Sequence, residues 1–215
     1  MQPVSERTTL KRNAARAVYD PDTIAAILDS QHLCHVAYVV DGQPRQIATL
    51  CVRDGDYLYL HGNRQSALLK HMAAGGEVSV AVTAVDGIVV ARSGFHCSMN
   101  YRSVVLFGRG EVVEGAAHRE MLDRFVDVLI PGHAAAVREP TPQELAATLV
   151  VRVPLAEASA KVRTGDPIDD KADLDSTAWA GVIPLETRAG MPEPSANLAE
   201  TLDMPEYIAA FQLGE

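Results

Sequence analysis

"HLCHVAYVVDGQPRQIATLCVRDGDYLYLHG", residues 32–62, decides the fold. Three runs rich in β-branched and aromatic residues succeed one another, separated by Asp41-Gly42 and Asp54-Gly55. Asp-Gly between apolar runs is a hairpin signal, because glycine takes positive φ without steric cost. The stretch therefore predicts an antiparallel meander of three strands: "HLCHVAYVV", "QPRQIATLCVR" and "DYLYLHG". Upstream, "DPDTIAAILDSQ" predicts a helix with Asp20 as N-cap, Pro21 at the first position and Ile24, Ile27 and Leu28 on one face. The first 18 residues are polar and are expected to form a loose arm.

Downstream, "RQSALLKHMAAGG" predicts a helix burying Ala67, Leu68, Met72 and Ala73 and stopped by Gly75-Gly76. "EVSVAVTAVDGIVVARS" returns to strand, with Asp86-Gly87 expected to form a third hairpin turn. "RSVVLFGRGEVVEG" is a further strand, in which Gly108 and Gly110 share one side and mark a bend or a close approach. "AAHREMLDRFVDVLI" is a helix with Met121, Leu122, Phe125 and Val128 or Leu129 at helical spacing. "PTPQELAAT" starts a short helix, and "TLVVRVPL" is expected to be the last strand. The segment from Glu157 to Glu215 is read as ordered loop. The strand-rich pattern predicts an antiparallel barrel with helices outside, or an α+β sandwich.

Of 215 residues, 47% are hydrophobic, enough for a sizeable core. The 28 acidic and 19 basic residues give a net charge of −9, which opposes both nucleic-acid binding and a polybasic membrane anchor. No run of about 18 apolar residues suggests a membrane span, and the N-terminus lacks a signal-peptide core. Cys34, Cys51 and Cys97 are odd in number and widely spaced, which points to a reducing, cytoplasmic compartment.

Two stretches carry chemistry. At His61-Gly62-Asn63 a strand runs into a helix start, where unpaired backbone N–H groups and the helix dipole favour an anion. Asn63 or Ser66 can cap the helix or bond that anion, and Arg64 and Lys70 add positive charge. The same residues also suit a plain capped turn. The sequence is neither GxxxxGK[ST] nor GxGxxG, so P-loop and Rossmann sites are not supported. "ARSGFHCSMNYRSVVLFG", residues 91–108, crowds Arg92, Ser93, His96, Ser98, Asn100, Tyr101, Arg102 and Ser103 between apolar strands. Those donors suit a polar ligand or a long surface loop. Cys34, His35, Cys51, His96 and Cys97 have no standard zinc spacing, and no metal site is expected.

In succession, residues 34–62, 66–108, "EASAKVRTGDPIDD" (157–170) and "WAGVIPL" (179–185) resemble the pyridoxamine-phosphate-oxidase-like, FMN-binding split-barrel superfamily. Within it they are most similar to the flavin-nucleotide-binding branch related to nitroimidazole-resistance reductases. The resemblance implies a mainly β, six-stranded antiparallel split barrel over 19–186, with a C-terminal extension over 187–215. It implies a homodimer with two FMN in clefts between subunits, acting on a small molecule. The flavin phosphate would meet His61, Gly62, Asn63, Ser66 and Lys70, and Thr49 would pass beside the isoalloxazine. Arg102 and Ser103 would add contacts, and Lys161, Arg163 and Trp179 would close the site, from the partner subunit in one arrangement. Where many members carry Ser-Arg, this chain has Ser66-Ala67, leaving Lys70 or Arg64 to compensate. An FMN-dependent oxidoreductase is the leading expectation, with no catalytic residue assigned. The alternatives are a haem protein on the same barrel, with His61, His71 or His96 as ligand, and a non-catalytic flavin-binding module.

Overall fold

A computed structural model of the chain describes residues 2–199 and 201–211. The meander forms as β2 (Leu33–Val40), β3 (Gln43–Asp54) and β4 (Tyr57–Asn63). Asp41 and Gly42 both take positive φ in the first turn, and Gly55 does so in the second. Before them, α1 (Pro21–Asp29) is capped by Asp20, whose Oδ2 accepts from the Thr23 N–H at 2.9 Å. Ile24, Ile27 and Leu28 are buried as the periodicity predicts, each contributing about 1.5–3 kcal/mol of apolar transfer.

The remaining strands are β1 (Ala17–Val18), β5 (Glu77–Val90), β6 (Ser98–Arg109), β7 (Glu111–Val112), β8 (Thr148–Pro154), β9 (Ala158–Arg163) and β10 (Gly181–Pro184). They pair in the order β1-β9-β6-β5-β2-β3-β4-β8-β7, with β10 on β5, and every pairing is antiparallel. Ten strands thus replace the six expected. Three of the additions are only two to four residues long. β9 and β10 belong to the segment read as loop, and β8 is not the last strand. They form because β6 and β5 each present an open edge to them.

Asp86-Gly87 is not a turn. It lies within the 14-residue β5, paired to β6 on one side and β10 on the other. Asp86 is an extra residue between Val85, opposite Tyr101, and Gly87, opposite Asn100. This bulge resets the alternation, so that Val89 stays buried while Ile88 stays outside.

Between β4 and β5, α2 (Ala67–Ala73) buries Leu68, Leu69 and Met72; Ala67 and Ala73 are exposed, contrary to expectation. Gly110 allows its close approach: a Cβ there would lie 2.6 Å from the Met72 carbonyl oxygen. On the far side of β3, β4 and β8 lies α3 (Gly115–Leu129), which buries Met121 and Phe125 against Val52, Tyr59 and Val150. The short helices α4 (His133–Ala136) and α5 (Pro142–Ala147) follow it, and α6 (Glu206–Ala209) lies in the C-terminal stretch. The larger core fills the inside of the sheet, from Cys34, Val36 and Leu58 to Leu106 and Val153.

The N-terminal segment lies against the sheet. Thr8 is fully buried, and the Arg7 guanidinium sits 4.7 Å over the Phe107 ring while pairing with Glu77 and Glu157. No described helix is long and apolar enough to cross a membrane.

Candidate functional site

The β3–β4 ladder ends at Cys51 opposite Leu60. Beyond it, residues 43–50 of β3 pair only with β2, and His61, Gly62 and Asn63 pair only with β8. The two strands part, and each presents an open edge to the other. The Cys51 N–H donates to the His32 carbonyl at 2.9 Å, on the β2 side. By the alternation of an antiparallel strand, the N–H and C=O of Leu50 then point the other way, into the split. Continuing the register would place His61 opposite Leu50, so its backbone groups point into the split as well.

The split opens on a cleft of about 560 Å³ lined by Leu50, His61 and, from α3, Arg119, Leu122, Phe125 and Leu129. The His61 ring lies 4.2 Å from the Phe125 ring, centroid to centroid. Its Nδ1 is buried with no partner, and burial pushes the imidazole below its ordinary pKa. It is therefore neutral near pH 7.

The β4–α2 junction follows directly on His61 in the chain. Asn63 closes it: its Oδ1 accepts from the Gln65 N–H at 2.8 Å, and its carbonyl accepts from the Ser66 N–H at 2.9 Å. Ser66 is the N-cap of α2, but its hydroxyl makes no capping bond. The first helical bond is Lys70 N–H to the Ser66 carbonyl, so the amides of Ala67, Leu68 and Leu69 precede it. Gly62 packs tightly there: a Cβ would lie 3.2 Å from Leu69 Cδ1. Lys70 Nζ reaches Gln65 Oε1 at 2.5 Å, whereas Arg64 turns away and donates to the Ala146 carbonyl at 3.1 Å.

Thr49, half-buried on the parted stretch of β3, shares this region with His61, Gly62, Asn63, Ser66 and Lys70. The other expected residues lie across the sheet, with β2 and β5 between. Ser103 faces Lys161 in the β6–β9 ladder, and its Oγ donates to the Lys161 carbonyl at 3.4 Å. Arg102 makes a bidentate pair with Asp86 at 2.8–3.2 Å, and that carboxylate raises its pKa. Arg163 is 5% exposed and donates to Asn100 Oδ1 and to the carbonyls of Gly165 and Asp166. Burial first, and Arg16 second, lower its pKa. Trp179 is 65% exposed, its ring lying over Gly181.

Of the other histidines considered, His71 Nε2 is 3.0 Å from the Glu77 carbonyl, and His96 Nε2 is 3.2 Å from Asp170 Oδ2. Arg119 was absent from the sequence-based set. Charged residues on an amphipathic helix look alike until the packing shows which one turns inward.

A strongly bent antiparallel sheet, parted along one edge and flanked by helices, is a split barrel. The sequence profile of the pyridoxamine 5'-phosphate oxidase family matches residues 20–162, and the chain belongs to that family. It is 40% identical to the flavocytochrome Anf3 from Azotobacter vinelandii, covering 100% of both chains with a TM-score of 0.93. It is 37% identical to the FAD and heme binding protein from Mycobacterium smegmatis, covering 93% of this chain and 100% of that one, with a TM-score of 0.88. A Bacteroides thetaiotaomicron protein provisionally assigned to 5-nitroimidazole antibiotic resistance shares the fold at 18% identity. That match covers 68% of this chain and 86% of the other, with a TM-score of 0.54. No curated protein matches the chain.

Proposed function

We propose that this protein is a flavocytochrome: a redox protein that binds a flavin along the β3–β4 split and a haem in the adjoining cleft, and acts on a small molecule. The observation that carries the reading is the parted ladder: beyond Cys51 opposite Leu60, β3 pairs only with β2 and β4 only with β8. Such an edge suits the hydrogen-bonding rim of an isoalloxazine. The likeness to two flavin- and haem-related proteins over nearly the whole chain supports the same reading.

The flavin fits the residues present. Ser66, the amides of Ala67, Leu68 and Leu69, and Lys70 would hold its phosphate, and Thr49 would pass beside the ring. FMN was the expected form, and both FMN and FAD carry the ring and ribityl phosphate addressed here. We favour FAD, because the Mycobacterium smegmatis relative is described as binding it. The haem fits His61: a neutral imidazole beside Phe125, in a cleft walled by Leu122 and Leu129. His71 and His96 already have partners at one ring nitrogen. Bound flavin exchanges two electrons with a donor or substrate, and haem iron exchanges one at a time. The chain would orient both groups, with Leu122, Phe125 and Leu129 of α3 supplying an apolar wall.

Two copies complete the site in this reading. Leu33, Val39, Val85, Ile88 and Met99 all face out from β2, β5 and β6 and stay exposed in one chain. Docking a second copy on that face would cover them and bring Ser103, Lys161, Arg163 and Trp179 of one chain towards the split of the other. The three thiols are free, which suits a cytoplasmic setting.

The test is the absorption spectrum of the purified full chain, with mass spectrometry of whatever is released. A yellow pair of flavin bands, a Soret band and the mass of FAD are expected. His61→Ala should lose the Soret band and keep the flavin. A colourless preparation that takes up neither added flavin nor haemin refutes the reading.

A further inference from the structure

Among the described residues, three buried side-chain polar atoms have no hydrogen-bond partner: His61 Nδ1, Arg92 Nε and Arg119 Nη1. Two of the three belong to residues lining one cleft, the one beside the split. An unpaired buried donor is costly, and a fold retains one where something else supplies the acceptor. Arg119 is held in place on α3: its Nη2 lies 3.2 Å from Asp123 Oδ2, one turn along. That contact occupies one nitrogen and leaves Nη1 without an acceptor.

The other charged groups at the cleft are already paired. Glu144 is bound by the Arg138 guanidinium and by the Thr141 N–H, and that pairing holds its carboxyl down at about 2. Asp123 faces Arg119 itself. An incoming anion therefore meets no free carboxylate, and it meets in Arg119 a guanidinium whose buried Nη1 has no partner. Leu50, Leu122, Phe125, Val126 and Leu129 make up much of the apolar wall. A flat apolar body with an acid group at its edge matches this chemistry. Haem has that form, an apolar macrocycle with two propionates.

We propose that Arg119 pairs with a propionate of the haem seated in this cleft, fixing the orientation of the macrocycle and slowing its release. This rests on the haem part of the proposed function. A charge-assisted bond of this kind changes affinity by about tenfold to a hundredfold.

The experiment loads the full chain with haemin or with haemin dimethyl ester, which lacks the acid groups. The rate of transfer to excess apomyoglobin is then measured for the wild type, Arg119→Gln and Arg119→Lys. The wild type should release the ester about tenfold to a hundredfold faster than the diacid. Arg119→Gln should release the diacid as fast as the ester, with ester release unchanged, while Arg119→Lys should fall between. Flavin absorbance should be the same in all three proteins.

Equal release of diacid and ester by the wild type would overturn the proposal. So would an Arg119→Gln variant that releases the diacid at the wild-type rate, or one that speeds both ligands equally or loses flavin, since Arg119 would then be structural. If the wild type takes up neither haemin nor its ester, the haem reading itself falls and this inference falls with it.

Discussion

Gly110→Ala tests how the fold holds the site in place. The added Cβ would lie 2.6 Å from the Met72 carbonyl oxygen and 2.6 Å from Met72 Cβ. Ordinary contact needs 3.4 Å or more, so the atoms must separate by about 0.8 Å. Backbone cannot swing aside as the end of a side chain does, so α2 must move as a unit. Met72 is fully buried on that helix, beside Leu68 and Leu69, so the shift spreads into the core. Overpacking of this kind costs about 1–3 kcal/mol. In a chain of this size that lowers Tm by about 2–12 °C.

The same shift carries the Ala67, Leu68 and Leu69 amides and Ser66 away from the split, so flavin affinity should fall along with Tm. Differential scanning calorimetry and a flavin fluorescence titration would measure the two effects. Gly94→Ala is the matched control, because nothing lies within 4 Å of its Cβ position. If Gly110→Ala melts within 1 °C of Gly94→Ala, the packing argument is wrong. If it melts early yet binds flavin as before, the phosphate does not lie at the α2 start.

Lys70→Ala should weaken flavin binding about tenfold through the lost phosphate charge, whereas Arg64→Ala should change it less than about twofold, because its guanidinium is turned to the Ala146 carbonyl. Fluorescence titration decides, and equal losses would show that Arg64 swings back on binding. Deleting Asp86 removes the extra residue and leaves Val85 opposite Tyr101 and Gly87 opposite Asn100, so Val89, now 0% exposed, should stay buried and the variant should lose about 1 kcal/mol or less, from the missing pair with Arg102. A deletion variant destabilised by about 1.5–3 kcal/mol, the cost of turning a buried valine outward, would refute the register. For His61, the folded state keeps a pKa below the ordinary value of about 6.5. Below that pH the unfolded chain takes up a proton the folded chain refuses. Stability is therefore full above about pH 6.5 and falls as the pH drops towards the folded pKa. His61→Gln should flatten that slope in urea melts run between pH 5 and 7, roughly the range over which histidine titrates; an unchanged slope would place the titration elsewhere.

The sheet and the junction were legible in the sequence because each rests on neighbours along the chain. Asp20 with Pro21, the apolar spacing of α1, and Gly62 before Ser66 all act within a few residues. The close approach at Gly108 and Gly110 was also visible as an oddity within a strand. A Cβ at Gly108 would sit 2.7 Å from Val153 Cγ1, so the reason lies in a strand more than forty residues away. Nothing near Arg119 in sequence marks it, because the cleft that gives it meaning is built by β3, β4 and α3 together.

The same dipeptide, used three times, shows where the boundary falls. Asp41-Gly42 and Asp54-Gly55 turn the chain because the strands on either side pair directly with each other, β2 with β3 and β3 with β4. The sequence determined those turns, and with them the meander. Asp86-Gly87 has the same local preference, but β6 and β10 hold both edges of β5 and offer more hydrogen bonds to an extended chain than a turn would return. There the pair becomes a bulge, with Asp86 holding Arg102. Backbone conformation followed the sequence where the partners were adjacent in the chain, and the tertiary structure where they were distant.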